Sequence, residues 1–190
     1  LLVGILLPGL ALAAASKPRH DLQSKAWTNK YDQHFRKYTK RYFGPNFDWR
    51  WFKSQGIADS GLRNDARSSA GAVGIMQILP STYDEIHEKS PYLSSGTLSD
   101  PRWNIAAGIF YDRILYKRWY KTLDYSTTEN GLYMTFASYN AGFGRISRVH
   151  KKAIKKPGSF DSIDSWEKIK QQVPSQTRHY VKRIKFLMGK

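Results

Sequence analysis

Between residues 21 and 43, apolar residues recur at spacings of three and four, which is the pattern of an amphipathic helix. The clearest stripe predicts a helix from residue 21 to residue 43, ended by Gly44-Pro45. No segment shows sustained alternation with period two, so we expect little or no β-structure. The members of the stripe are all aromatic: Trp27, Tyr31, Phe35, Tyr38 and Tyr42.

Start and stop signals place the next elements. A second helix is predicted from Asp48, as its N-cap, to a stop at Gly61. A loop rich in Ser, Ala and Gly should occupy residues 63–74, followed by a short helix from Ile75 to Leu79.

The second half of the chain continues in the same way. Ser81 is predicted to cap a helix, with Asp84 three residues on in a capping-box-like arrangement. Asp100-Pro101 predicts the start of a long helix that reaches about Trp119, because an N-cap residue is followed by proline at the first helical position. The fold class is therefore mainly α, in a single domain. Further helices are predicted at 128–140, 143–154, 164–172 and 175–188.

The first fifteen residues, LLVGILLPGLALAAA, carry no charge and end in small residues. The run is shorter than the roughly 20 residues that span a bilayer, and Pro8-Gly9 in its middle disfavours a buried core helix. It is typical of the apolar region of a secretory signal peptide, with an A-x-A cleavage site. We therefore expect residues 1–15 to be a signal-peptide remnant, and the mature chain to be exported to the periplasm or cell envelope without a transmembrane segment.

The chain is strongly basic. The formal net charge of +16 over 190 residues predicts an anionic partner, and nucleic acid, acidic lipid and the anionic bacterial wall all qualify. The chain has no cysteine, and its five histidines are scattered without the pair spacing of metal ligands. We expect no metal site and no cofactor.

Small-residue motifs carry the candidate chemistry. A helix that ends in an acidic residue and continues into a Gly- and Ser-rich loop would present that carboxyl, Asp59, at the mouth of a cleft. Gln77 can both donate and accept hydrogen bonds, and Tyr139 and Tyr180 can pack on a sugar face while their hydroxyls hydrogen-bond. The motifs are DSGL (59–62), SSAGAVGIMQI (68–78), DPRWNIAAG (100–108), ASYNAGFG (137–144) and QTRHYV (176–181).

With these motifs in this order, the chain resembles the soluble lytic transglycosylase (SLT) catalytic domain of the lysozyme-like superfamily. The resemblance covers roughly residues 46–186. It implies that residues 16–45 are a linker and an N-terminal amphipathic helix and that residues 46–190 form the catalytic domain. It also implies a monomer that acts on peptidoglycan glycan strands, at an anionic cell-wall surface.

The resemblance also implies the reaction and the site. One acid at the position of Asp59 would cleave the β-1,4 bond between N-acetylmuramic acid (MurNAc) and N-acetylglucosamine (GlcNAc) without water, giving 1,6-anhydroMurNAc ends. For this the carboxyl must stay protonated near neutral pH, so its pKa must be raised by a poorly solvated pocket. The residues that would bind substrate are Ser68, Gln77, Tyr139, Asn140 and Tyr180.

The sequence departs from the family at the acid itself, where the family has Glu. Aspartate has a stem one methylene shorter, and a displacement of about 1 Å can cost about 100-fold in rate. Three explanations stay open: Asp59 works from a slightly closer helix, it replaces Glu and weakens the enzyme, or the protein binds glycan without cleaving it. A second departure is Gln176, where the family often has Glu.

Two other functions remain as alternatives. A hydrolytic muramidase on the same fold would need a second acid or a well-placed water, for which no motif is present. A nucleic-acid-binding protein fits the charge and the 14% aromatic content, but no recognisable binding motif accompanies them, and we expect no nucleic-acid partner.

Overall fold

The computed structural model describes residues 21–120, 128–154 and 165–190. Within these ranges the chain is helical and contains no strand, which confirms the mainly α class; two isolated β-bridges join Val73 to Arg67 and to Ile78. No helix in this part of the chain is long and apolar enough to cross a membrane. The helices are α1 (Asp32–Phe43), α2 (Arg50–Ser60), α3 (Pro80–Lys89), α4 (Pro101–Tyr120), α5 (Thr128–Ala141), α6 (Phe143–Ile154), α7 (Ser165–Ile169) and α8 (Ser175–Leu187).

The longest helix, α4, forms the centre of the fold together with α5. Helix α1 packs on α4, α6 and α8 pack on α5, and α2 contacts both α1 and α8. The aromatic core draws Phe35 from α1, Phe52 from α2, Trp119 from α4 and Phe136 from α5, all fully buried. Helix α1 is therefore part of the same core as the later helices. The boundary at residue 45 stays a prediction, and the segment 1–15 lies outside the described residues.

The predicted helix from residue 21 is wrong for residues 21–31, because α1 begins only at Asp32. The Asp21 carboxylate and the Ser24 and Thr28 hydroxyls each accept the backbone N–H two residues further on, at 3.0 to 3.2 Å. Such local turns compete with helical hydrogen bonds. Trp27 still packs against the core, but from a turn.

The predicted short helix from Ile75 to Leu79 is also wrong. Residues 74–78 form a tight turn, which we call the 74–78 turn. Val73 and Ile78 exchange two backbone hydrogen bonds of 2.9 and 3.1 Å across it. Gly74 and Gln77 have φ of 78° and 43°, in the left-handed region that a right-handed helix excludes.

Of the predictions for the other helix ends, one is wrong and two are confirmed. Helix α3 starts at Pro80, with Leu79 as N-cap and no side-chain cap, so Ser81 is not its N-cap; proline at the first position sets the start instead. The start of α4 at Pro101 is confirmed, and the Asp100 carboxylate accepts the Arg102 N–H at 2.8 Å. The predicted stop of α2 at Gly61 is confirmed as well.

Candidate active site

The end of α2 positions Asp59. Gly61 adopts the left-handed conformation with φ of 65°, and its N–H donates to the Ile57 carbonyl at 2.9 Å. This bond from the residue after the helix, four positions back, is that of the αL motif, and the Leu62 N–H adds a bond to the Gly56 carbonyl at 3.3 Å. Asp59 therefore lies in the last turn of a well-capped helix, where the negative end of the helix dipole disfavours a charged carboxylate.

Three helices hold the 74–78 turn beside this helix end. From α2, the Ser60 hydroxyl donates to the Ile75 carbonyl at 2.9 Å. From α4, the Asn104 side-chain carbonyl accepts the Met76 N–H at 2.8 Å, and from α5 the Tyr139 hydroxyl donates to the Met76 carbonyl at 2.8 Å. The turn is fixed by side chains from elements distant in sequence.

Close packing of α4 against the turn needs a glycine. A Cβ added to Gly108 would lie 2.8 Å from Cβ of Met76, closer than real side chains approach. Asn104, one turn earlier, also donates through Nδ2 to the Val73 and Leu98 carbonyls at 2.9 and 3.1 Å. One face of α4 is thus shaped to receive the turn.

The Asp59 carboxyl is poorly solvated. The residue as a whole is half-buried, but its Oδ2 is enclosed and no described residue hydrogen-bonds to it. Burial raises the pKa of Asp59 well above its usual range, and the nearby Tyr180 hydroxyl opposes that rise. Tyr180 is close enough to favour the charged form somewhat, yet the two groups do not reach hydrogen-bonding geometry. The expectation of a raised pKa is confirmed.

Tyr180 and Tyr139 face the carboxyl from α8 and α5. Burial raises the pKa of both phenols well above the usual range, and the charge of Asp59 adds to the rise. The Tyr180 hydroxyl is enclosed without a hydrogen-bond partner among the described residues, whereas Tyr139 is committed to Met76. Tyr180 therefore leaves an unused donor next to the acid.

A second carboxyl in this region was missed by sequence reasoning. Asp112 on α4 is fully buried, with Gln55 of α2 donating to its Oδ1 at 3.3 Å. Burial, then the charge of Asp59, raises the pKa of Asp112 well above its usual range. The available signal was its spacing: Asn104, Gly108 and Asp112 are four residues apart and share one face of the helix.

The other expected site residues lie in different settings. Ser68 is exposed and accepts the Ala72 N–H at 3.0 Å, closing the loop on itself. The Gln77 amide nitrogen donates to the Gly74 carbonyl at 2.9 Å, and Asn140 is exposed, accepting the Thr177 hydroxyl at 2.8 Å. Electrostatic and hydrogen-bond contacts thus bring together Asp59, Tyr139 and Tyr180. Ser68 and Gln77 bond within their own loop, and Asn140 links α5 to α8 through Thr177. In the described ranges, no three His, Asp or Glu side chains group so as to hold a metal ion.

Comparison with known proteins gives consistent matches. The sequence model of the Transglycosylase SLT domain family matches residues 43–160, more than half of the chain. A soluble lytic murein transglycosylase of Escherichia coli is 29% identical over 157 residues, covering 81% of this chain and 22% of that protein. A membrane-bound lytic murein transglycosylase F of Photobacterium profundum is 26% identical over 153 residues, covering 80% of this chain and 26% of that protein. The chain spans about a quarter of the length of these curated relatives.

Solved structures agree on the fold. The crystal structure of the 70 kDa soluble lytic transglycosylase from Escherichia coli aligns with a TM-score of 0.65 at 24% identity, covering 86% of this chain and 25% of that one. An inactive mutant of lytic transglycosylase Slt from Pseudomonas aeruginosa aligns with a TM-score of 0.63 at 24% identity, covering 83% of this chain and 23% of that one. The lysozyme-like helical fold expected from the motifs is therefore confirmed.

Proposed function

The chain belongs to the Transglycosylase SLT domain family, and from that membership we propose that it is a lytic transglycosylase that cleaves the β-1,4 MurNAc-GlcNAc bond of peptidoglycan and leaves 1,6-anhydroMurNAc ends. The observation that carries the proposal is the enclosed Asp59 carboxyl, which burial keeps protonated to a higher pH than an exposed aspartate. A general acid works best when its pKa lies near the working pH.

In the proposed reaction Asp59 is the only group that exchanges a proton with substrate. It gives its proton to the leaving glycosidic oxygen as the bond to C1 breaks, which leaves an oxocarbenium-like sugar. The Asp59 carboxylate then takes the proton of the MurNAc C6 hydroxyl, whose oxygen bonds to C1. The carboxyl is regenerated and no water is consumed.

The surrounding residues support these two steps. The unpartnered Tyr180 hydroxyl can donate to the carboxylate formed midway, which lowers the cost of its charge in an enclosed site. Tyr139 offers its ring face to a sugar, because its hydroxyl is already bonded to Met76. Ser68 and Asn140 are exposed and can contact the glycan, as can the Gln77 amide oxygen, to which no described residue donates.

The setting follows from the relatives and the charge. Both curated relatives are named as murein transglycosylases, one soluble and one membrane-bound. With a net charge of +16, the protein is suited to an anionic cell-wall surface. We propose that the protein acts in the periplasm or cell envelope.

A hydrolytic muramidase is the second candidate, because Asp112 supplies the second carboxyl that hydrolysis requires. This carboxyl is 0% exposed and is bonded to Gln55. A base that activates water must reach the open face of the sugar ring, and an enclosed side chain cannot. The geometry therefore favours the single-acid reaction.

Mass spectrometry of digested peptidoglycan tests the proposal. The protein should release anhydro-muropeptides, Asp59→Asn should release none, and Asp59→Glu should be at least as active as the parent. Asp65→Asn is a matched control, since it removes an exposed carboxyl from the adjacent loop and should leave the products unchanged.

Three results would contradict this assignment. Products with reducing ends only would indicate a muramidase. Glycan binding without any product would indicate a non-catalytic binder. An inactive Asp59→Glu variant, with an active parent, would mean that Asp59 does not occupy the acid position.

A further inference from the structure

The outer surface of α1 is strongly basic. No described carboxylate forms an ion pair with any of its exposed cations. The acid of this helix, Asp32, is bound to Lys53 of α2, with 2.6 Å between Oδ1 and Nζ. A concentration of one sign of charge on one face attracts a partner of the opposite sign. The exposed residues of α1 are Gln33, Arg36, Lys37, Lys40 and Arg41.

Two arginines at this surface lie against aromatic rings. The guanidinium carbon of Arg41 is 4.0 Å from the centre of the Tyr92 ring, and that of Arg102 is 4.7 Å from the centre of the Trp103 ring. The Tyr92 and Trp103 rings are themselves 5.4 Å apart. These four residues therefore form one continuous group, which we call the two-arginine cluster, and it joins α1 to the start of α4.

The two-arginine cluster is held in a fixed geometry. The Arg102 Nε–H donates to the Tyr38 hydroxyl at 3.0 Å, and Tyr38 is 0% exposed. A Cβ added to Gly96 would overlap the Trp103 indole, so the backbone of the loop between α3 and α4 packs directly on that ring. A guanidinium stacked on a ring keeps its N–H donors available at its edge. Donors fixed in this way lose less freedom when they bind a ligand.

The acid nearest to the cluster in sequence, Asp100, has a local partner. Its carboxylate accepts the Arg102 backbone N–H at 2.8 Å, at the start of α4. No ion pair in the described part of the chain joins a carboxylate to the guanidinium of Arg41 or Arg102. Both groups can therefore take a carboxylate or phosphate from another molecule, since arginine forms charge-assisted hydrogen bonds to either.

The surface is unsuited to a lipid bilayer. A helix that lies on a membrane buries its apolar face among the lipids, and the apolar face of α1 is buried in the core, with Phe35 and Tyr38 at 0% exposure. The exposed large apolar side chains of the described residues are Leu79, Tyr120 and Phe186, and all three lie outside α1 and the cluster. These observations favour a hydrated anionic polymer as the partner.

We propose that the outer surface of α1 and the two-arginine cluster bind the carboxylates of peptidoglycan peptide stems and so hold the enzyme on the wall. The inference rests on the proposed function, since it takes peptidoglycan as the substrate. The recurring carboxylates of that polymer lie on its peptides. Helix α1 ends at Phe43, where the match to the family model begins, so its cations add a contact outside the matched residues. A second contact raises the overall affinity through effective concentration.

Co-sedimentation with purified, insoluble peptidoglycan tests the proposal. All proteins in this assay carry Asp59→Asn, so that the wall is not digested, and the buffer contains about 0.15 M salt to screen weak long-range attraction. The triple variant Lys37→Gln/Arg41→Gln/Arg102→Gln should bind intact peptidoglycan about tenfold more weakly than the parent, because three charged contacts are lost together.

A matched control separates this surface from net charge. The variant Arg148→Gln/Lys151→Gln/Lys152→Gln removes the same amount of charge from exposed positions of α6 and should keep the parental affinity within about twofold. Equal losses in the two triple variants would mean that only net charge matters, and would overturn the proposal. If Arg102→Gln prevents folding, a variant changed only at the two α1 positions keeps the bond between Arg102 and Tyr38, and it should still bind more weakly than the control.

Two further probes identify the partner. Glycan strands from which an amidase has removed the peptide stems should bind the parent as weakly as intact peptidoglycan binds the triple variant. Undiminished binding to the stripped strands would rule out the peptide carboxylates. Tighter binding to phosphatidylglycerol vesicles than to peptidoglycan, lost in the triple variant, would show a lipid partner and would equally overturn the proposal.

Kinetics connect the surface to the reaction. With Asp59 intact, the triple variant should release anhydro-muropeptides with a KM raised about tenfold and little change in kcat, since an anchoring contact is the same in the ground state and the transition state. A loss confined to kcat would contradict an anchoring role. If no protein releases anhydro products, the proposed function fails, while the sedimentation results still decide whether the surface binds peptide stems.

Discussion

Replacing Asn104 by alanine tests whether α4 holds the 74–78 turn in place. The Asn104 side chain is 0% exposed and makes three hydrogen bonds of 2.8 to 3.1 Å with backbone atoms. In Asn104→Ala the Met76 N–H and the Leu98 carbonyl lose the partners described above, while the Val73 carbonyl keeps its bond from Ile78. Each lost bond costs about 1 kcal/mol, and an orphaned buried N–H costs about 1 to 3 kcal/mol. The free energy of unfolding should therefore fall by about 3 to 5 kcal/mol.

Denaturant unfolding followed by tryptophan fluorescence and circular dichroism measures this loss. For a domain of this size it corresponds to a fall in Tm of about 10 °C. Asn64→Ala is a matched control, because Asn64 makes one exposed bond, of 2.9 Å, to the Ser99 carbonyl; it should cost under about 1 kcal/mol. If Asn104→Ala cost no more than Asn64→Ala, the turn would not depend on these bonds, and the account of how the site is held would be refuted.

Three further outcomes are expected. Gly108→Ala should destabilise the fold by about 1 to 3 kcal/mol, because the new Cβ overlaps Met76. Equilibrium unfolding in denaturant measures this loss, and an unchanged unfolding midpoint would contradict the close approach of α4 to the 74–78 turn. Gly61→Ala should lower the free energy of unfolding by about 1 kcal/mol, since the φ of 65° at this position is unfavourable for alanine. Thermal melting should show a lower Tm, and a raised Tm would argue against the left-handed C-cap of α2. Both Asp59 and Asp112 have a raised pKa in the folded protein. The free energy of unfolding should therefore be highest below their unfolded pKa of about 3.8 and fall as pH rises toward the folded pKa values. This fall should be shallower in Asp112→Leu, and equal slopes in the variant and the parent would count against a buried carboxyl at residue 112.

The helix ends beside the candidate site could be predicted because their motifs are local. The stop of α2 at Gly61 and the start of α4 at Pro101 depend on short-range capping chemistry, which a sequence displays directly. Asp59 could be located for the same reason, at the end of a helix that runs into a Gly- and Ser-rich loop.

The partners of the polar side chains could not be predicted. Tyr139 turns its hydroxyl to Met76, a residue 63 positions away, and only the packing of α5 against the turn decides this. Asp112 was missed because a single Asp in a helix has the pattern of a surface residue. Its spacing from Gly108 becomes informative only once that face of α4 is known to be buried.

In the aromatic stripe of residues 27–42, the sequence pattern predicted burial correctly but the backbone conformation only in part. Trp27 and Tyr31 fit the helical spacing of the residues that follow them, and both pack on the core. Side-chain bonds at Ser24 and Thr28 nonetheless favour turns there. Periodicity therefore identified which residues are buried more reliably than which backbone conformation carries them.

The enclosed, unpartnered oxygens around the acid have a consequence for engineering. Asp59 Oδ2, Asp112 Oδ2 and the Tyr180 hydroxyl are each buried without a hydrogen-bond partner among the described residues, and each such group weakens the fold. Apolar replacements at these positions should raise thermal resistance while removing the proposed general acid and its neighbours. A library selected for heat tolerance alone would accumulate such replacements, so each round of selection should also test for the proposed glycan cleavage.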